Sequence, residues 1–176
     1  GRRRVLAVED VMGLLDEFQK YPWLHIIDLD AAMRKGENSR LVRNLCSAAR
    51  KQYHLKVRIG GGIRTLAQAK QIAARGANQI IIGSAAFRRG KVNRQFLAAL
   101  EKQVGREKII VALDTAKGRI VIEGWRRRLA LRAENVISEL EPLCAGFLCT
   151  DVDREGTMRG ADLKGLRKLR AAICHA

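Results

Sequence analysis

Aromatic side chains are scarce in this sequence, 5% of 176 residues, and proline occurs twice. Proline and glycine together are too few for a fibrous or disordered chain. No apolar run approaches the ~20 residues of a membrane span; the longest are short, such as residues 79–83 and 108–113. The start carries no charged–apolar–small signal pattern, so the expected location is the cytoplasm. Cysteine is limited to Cys46, Cys144, Cys149 and Cys174, without the spacing of a metal knot. Three of them stand among apolar neighbours, as reduced, packed thiols do. A metal site is possible in principle, but no histidine lies at ligand spacing from a pair of carboxylates, so no metal is expected.

Acidic residues are also few, 18 against 34 basic ones, for a net charge of +16. Such a balance attracts polyanions. The runs Arg2-Arg3-Arg4 and Arg126-Arg127-Arg128 could form a nucleic-acid surface or a funnel for an anionic substrate. Charge runs carry little specificity, and Trp23 and Trp125 are not interleaved with them as stacking platforms would be. Each run is therefore read as solvated surface, and nucleic acid is not the expected partner.

What is present is a regular alternation of helical and strand periods. Val8, Val11, Met12, Leu15 and Phe18 share one helical face before Pro22 ends the pattern. Strands are expected at residues 24–29, 55–59, 80–82, 108–113 and 146–150. Helices are expected at 41–53, 65–75, 92–104, 131–143 and 162–174, with a short hairpin arm at 119–125. Strands this apolar are buried on both faces, which points to a parallel α/β sheet in one domain spanning residues 1–176. An open doubly wound sheet and a closed barrel both fit. No strand is followed by a dinucleotide fingerprint, which weakens the first.

An internal repeat favours the barrel. His25-Ile26-Ile27-Asp28-Leu29-Asp30 resembles Leu148-Cys149-Thr150-Asp151-Val152-Asp153. Two copies of a four-unit block would make a (βα)8 TIM barrel, a fold of ~250 residues, of which this chain carries about five units. The same offset places the partner of the Asp114 strand before residue 1. It places the partner of the glycine turn beyond residue 176.

Gly60-Gly61-Gly62-Ile63-Arg64-Thr65 follows a strand and opens a helix. Glycines admit an anion close to the backbone, and helix starts offer unpaired N–H groups. Gly83-Ser84-Ala85 repeats the arrangement one unit later. In a barrel the two turns aim at one point, so Gly61, Gly62, Arg64, Gly83, Ser84 and Ala85 are the expected phosphate-binding residues. Asp114 ends an apolar strand, where desolvation suits a carboxyl to general acid work, although it could equally cap a helix. Thr150 could donate to a substrate hydroxyl or be an ordinary strand threonine. Asp28, Asp30, Asp151 and Asp153 could bind substrate or serve as loop caps. His25 could contact substrate or sit satisfied in its strand.

Six motifs in order then resemble a known family: residues 24–32, 60–64, 82–85, 111–114, Gly124-Trp125 and 150–157. They resemble the phosphoribosylformimino-aminoimidazole carboxamide ribotide isomerases of histidine biosynthesis. The cyclase of the same pathway shares the barrel and the glycine turns. Gly124-Trp125 and Asp28-Leu29-Asp30 match the isomerase better. The resemblance implies a cofactor-independent Amadori rearrangement of an aminoaldose to its aminoketose. It implies Asp114 as general acid and Thr150 as a residue orienting the substrate. His25 and Trp125 become substrate contacts, Trp125 by stacking. The two turns become one of two phosphate seats for a bisphosphorylated substrate. The family's general base and its second phosphate seat fall on the strands that the repeat places outside this chain. Glu155 stands where the family usually has Asp. A monomer is expected, and as given the chain is expected to be incomplete for catalysis. Alternatives are a cyclase-like barrel or an inert basic module binding phosphates or nucleic acid.

Overall fold

The computed structural model describes residues 8–174, so Arg2-Arg3-Arg4 lies outside the described residues. The strands are β1 Trp23–Ile27, β2 Lys56–Gly60, β3 Gln79–Ile82, β4 Phe87–Arg88, β5 Lys91–Val92, β6 Ile109–Ala116, β7 Arg119–Ile122, β8 Arg127–Arg128 and β9 Gly146–Asp151. The α-helices are α1 Leu14–Phe18, α2 Leu29–Met33, α3 Ser39–Lys51, α4 Leu66–Ala74, α5 Arg94–Val104, α6 Ile137–Leu140 and α7 Leu163–Ala171.

Five strands pair in parallel in the order β1-β2-β3-β6-β9. The order follows the chain without reversal. A doubly wound sheet would reverse at a switch point, so this is the order of a barrel wall. The wall has two unlike faces. Val57, Ile59, Ile80, Ile82, Ile109, Val111 and Leu113 join one buried cluster with Leu97 and Leu100 of α5. Each such side chain contributes about 1.5–3 kcal/mol on burial. The other face carries His25, Arg58, Gln79, Ile110, Ala112 and Asp114. His25 and Ile27 on it are exposed. Ile81 and Ile110 on this same face are buried, so the central strands β3 and β6 are buried on both faces at their middles, and the expectation fails at the edge strand β1.

The edge of β6 away from β9 is shared. Its first residues pair with β3, and Thr115 and Ala116 pair antiparallel with β7. The β7–β8 hairpin therefore rises above the end of β3, as the expected arm at 119–125.

Two helices are shorter than their periodicity suggests. Over residues 8–21 only Leu14–Phe18 is α-helical. The Asp10 carboxylate accepts from the Gly13 amide and holds a turn there. Val8, Met12 and Phe18 stay exposed while Leu15 reaches the core. Residues 131–143 break into two 3-10 turns flanking the four-residue α6. Pro142, which has no N–H to donate, lies in the second turn.

Candidate functional site

The glycine turn is built against the end of β1. Gly61 and Gly62 have φ of +98° and +71°, which side chains rarely adopt. A Cβ on Gly61 would lie 2.2 Å from the Asp28 carbonyl oxygen, and one on Gly62 would lie 2.6 Å from the Ala31 Cβ. Glycine is thus demanded here by packing as well as by any ligand. The N–H groups of Gly61, Gly62, Ser84 and Ala85 have no acceptor among the described residues. Thr65 closes the turn with a capping box, its hydroxyl accepting from the Gln68 amide while the Gln68 side chain accepts from the Thr65 amide.

Arg64, expected on a phosphate, is occupied otherwise. Its guanidinium donates to the Ala31 and Ala32 carbonyls at 2.9 and 3.0 Å and to the Gly62 carbonyl at 3.3 Å. Burial pulls its pKa down, and nearby Arg34 adds to that, against the opposite pull of Glu123.

Asp28 is a cap rather than a free ligand group. It is buried and accepts from the Ala31 amide, the Asn38 amide and the Asn38 side chain at 3.0, 2.7 and 3.0 Å. Burial alone would raise its pKa; these donors outweigh it and hold the carboxyl below the ordinary carboxylate range. Asp30 accepts from Asn38 as well. At the repeat partner, Asp151 accepts from the Asp153 amide and Asp153 accepts from the Lys117 amide.

Asp114 and Thr150 stand side by side in the register of β6 and β9. Paired residues of neighbouring strands point to the same face. Only Asp114 and Asp151 bring a carboxylate to the five parallel strands, and Asp151, one residue on from Thr150, lies on the opposite face. Asp114 is not a helix cap; β6 continues two residues past it. Trp125 comes from the hairpin, and its indole N–H donates to the Asp114 carboxylate at 2.9 Å. The residues Glu123, Gly124 and Trp125 are all left-handed, with φ of 60°, 64° and 66°, a run that turns the indole back over the strand ends. The Ser84 hydroxyl accepts from the Glu123 amide at 2.8 Å, fixing this hairpin to the second turn.

His25 lies further down the same face, in register with Arg58 and Gln79. Its Nε2 is 3.0 Å from the Arg58 guanidinium, which also donates to Gln79 and stacks 4.0 Å from the Trp23 ring centre. Partial burial lowers the His25 pKa, and the Arg58 charge lowers it further.

The structure therefore gathers Gly61, Gly62, Gly83, Ser84, Ala85, Asp114, Thr150 and Trp125 at the strand ends. Asn38, Glu123 and Arg126 were not singled out from the sequence as site residues, since none sits in a motif. The run Arg126–Arg128 is more than solvated charge: Arg126 donates to the Met33 carbonyl, and Arg127 pairs with Glu123 at 3.0 Å. Among the described residues no three His, Cys, Asp or Glu side chains gather as metal ligands would, and no helix is long and apolar enough to cross a membrane.

The sequence is similar to known proteins. A family model described as "Histidine biosynthesis protein" matches residues 4–176. An imidazole-4-carboxamide isomerase of Methanocaldococcus jannaschii, whose name specifies a phosphoribosyl and a phosphoribosylamino group, is 35% identical over 162 residues, 92% of this chain and 64% of the relative. The isomerase of the same name from Salinibacter ruber is 30% identical over 94% of this chain and 62% of the relative. That of Streptococcus sanguinis is 32% identical over 87% and 61%. The chain thus spans less than two thirds of the length of these curated relatives. With a match from residue 4 to residue 176 and a barrel strand order, the chain belongs to the histidine biosynthesis protein family of (βα)8 barrels.

Proposed function

We propose that the whole protein is a cofactor-independent aldose–ketose isomerase of histidine biosynthesis, acting on a bisphosphorylated ribotide by an Amadori rearrangement. The observation that carries this is Asp114, a carboxylate on the inner face beside Thr150 and held by Trp125. The names of the relatives favour the isomerase over the cyclase.

In this reading, Asp114 gives its proton to the ring oxygen of the aminoaldose. The C1–O bond breaks, and the nitrogen lone pair forms the C1=N iminium. Loss of the C2 proton to a base then gives an enolamine, which tautomerises to the aminoketose. The Trp125 bond to one carboxylate oxygen leaves the other to carry the proton. Thr150, whose hydroxyl has no partner among the described residues, orients a sugar hydroxyl. One phosphate lies against the open amides of Gly61, Gly62, Ser84 and Ala85, with Gly83 giving it room. Arg64 holds that seat in place rather than touching the phosphate. Trp125 covers the reacting sugar, and His25 reaches the ligand from lower on the same face. The resemblance puts the base on a strand other than the five described, whose inner face offers no second carboxylate. The free cysteines suit a reducing cytoplasm, and a single barrel domain acting as a monomer completes the proposal.

The test is an isomerase assay on the protein in the full length its gene encodes, parent against Asp114→Asn. A loss of about 10²-fold or more is expected for a general acid. Full activity in the variant would refute the role of Asp114. Unchanged activity after chelation is the expected result for a cofactor-free site.

A further inference from the structure

We propose that Arg64 and Arg126 are positioning residues that act through helix α2, so that the glycine turn and the Trp125–Asp114 pair move as one unit. The proposal rests on the functional reading above for its meaning, but not for its test.

Helix α2 has five residues, too few to persist without support. Its support comes from two other units of the barrel. At its start Asp28 caps the Ala31 amide. At its end the Ala31 and Ala32 carbonyls accept from Arg64, and the next carbonyl, Met33, accepts from Arg126. Two guanidinium groups thus complement the negative end of one short helix.

Each arginine is anchored where the proposed chemistry lies. Arg64 also donates to the Gly62 carbonyl, inside the phosphate turn. Gly61 and Gly62 lie directly on the backbone of Asp28 and Ala31. Arg126 directly follows Trp125. Gly124 rests on Met33, where a Cβ would meet the Met33 Cγ at 2.8 Å. Glu123 of the same hairpin favours the charged form of Arg64. A shift of the glycine turn is therefore passed by Arg64 to α2, and by Arg126 and Gly124 to the indole on Asp114. Ser84 offers the hairpin a second, direct attachment that bypasses α2.

Amide hydrogen exchange of the protein in the full length its gene encodes separates these routes. Arg64→Gln is expected to raise exchange about fivefold or more, the effect of losing charge-assisted bonds, at residues 28–35 and also at 121–127. Arg64→Lys should not restore protection, because one ammonium cannot span three carbonyls. Ser84→Ala removes the direct attachment and should loosen 121–127 most, with a smaller rise at 28–35 passed back through Arg126; a rise at 121–127 with none at 28–35 would count against the link. Acceleration in Arg64→Gln confined to 28–35 and 60–64 would overturn the proposal. If that variant does not fold, Arg126→Gln reads the same link in reverse, with faster exchange expected at 28–35 and 60–64 and unchanged exchange there refuting it. A second arm titrates inorganic phosphate in a Trp23→Phe background. Phosphate should shift Trp125 emission, and Arg126→Gln should lose the shift while calorimetric binding stays within about threefold. A shift that survives in Arg126→Gln would contradict the coupling. Absence of phosphate binding in the parent would remove the phosphate reading of the turn, and the exchange arm would still decide the link through α2.

Discussion

Replacing Gly61 by alanine isolates what the fold itself demands of the glycine turn. Two costs add. At φ +98° an alanine is in a region side chains rarely occupy, which costs about 1–2 kcal/mol. The new Cβ would also sit 2.2 Å from the Asp28 carbonyl oxygen and 2.7 Å from its carbonyl carbon and amide nitrogen. These are backbone atoms at the cap of α2, so relief requires moving the helix, at a cost of about 1–3 kcal/mol. The total, about 2–5 kcal/mol, is a large part of the 5–15 kcal/mol typical of a domain. Gly90→Ala is the internal control. Gly90 has φ +75° but nothing within 4 Å of its would-be Cβ, so only the first cost applies. Urea unfolding followed by circular dichroism measures both. With a slope near 2 kcal/mol per molar, Gly61→Ala should lower the midpoint by about 1–2.5 M and Gly90→Ala by about 0.5–1 M. Equal shifts would refute the claim that α2 presses on this turn.

Three further outcomes follow from other parts of the molecule. Thr65→Ala removes the capping box of α4 and should cost about 1 kcal/mol in the same urea assay, with Thr65→Ser restoring most of it. His25 should titrate below its ordinary value near 6.5, read by imidazole NMR, and Arg58→Gln should raise the midpoint. Because the folded pKa is the lower one, its contribution to stability is complete above the unfolded value and is lost as pH falls from there through the folded value; a midpoint at or above 6.5 would contradict the Arg58 contact. Thiol labelling of the native chain should modify exposed Cys174 first. Cys149, raised by burial and by Asp114, should follow more slowly, and Cys144, pushed by burial to about 11, should react only on unfolding together with buried Cys46.

The parallel strands and their spacing were written in the chain: Ile80-Ile81-Ile82 and residues 109–113 are apolar runs closed by glycine or a carboxylate. Thr65 announced the start of α4, and Gly60-Gly61-Gly62 announced the tight turn before it. Local chemistry fixes these features, so local reading recovers them. Helix α1 and residues 131–143 were overestimated for the same reason: periodicity records an apolar stripe, but not whether a core lies opposite to hold it. Arg64 shows the limit most clearly. Its place after three glycines suggests an anion ligand, whereas folding brings the Ala31 and Ala32 carbonyls, 33 and 32 residues away in sequence, within reach of its guanidinium. Arg126 reaches the Met33 carbonyl across 93 residues, and nothing in a run of three arginines indicates such a partner. The sequence by itself determined the strand–helix alternation and the residues able to do chemistry. Only the tertiary structure decided which of them meet, because the partner of a long charged side chain is set by the backbone that folding places near its tip.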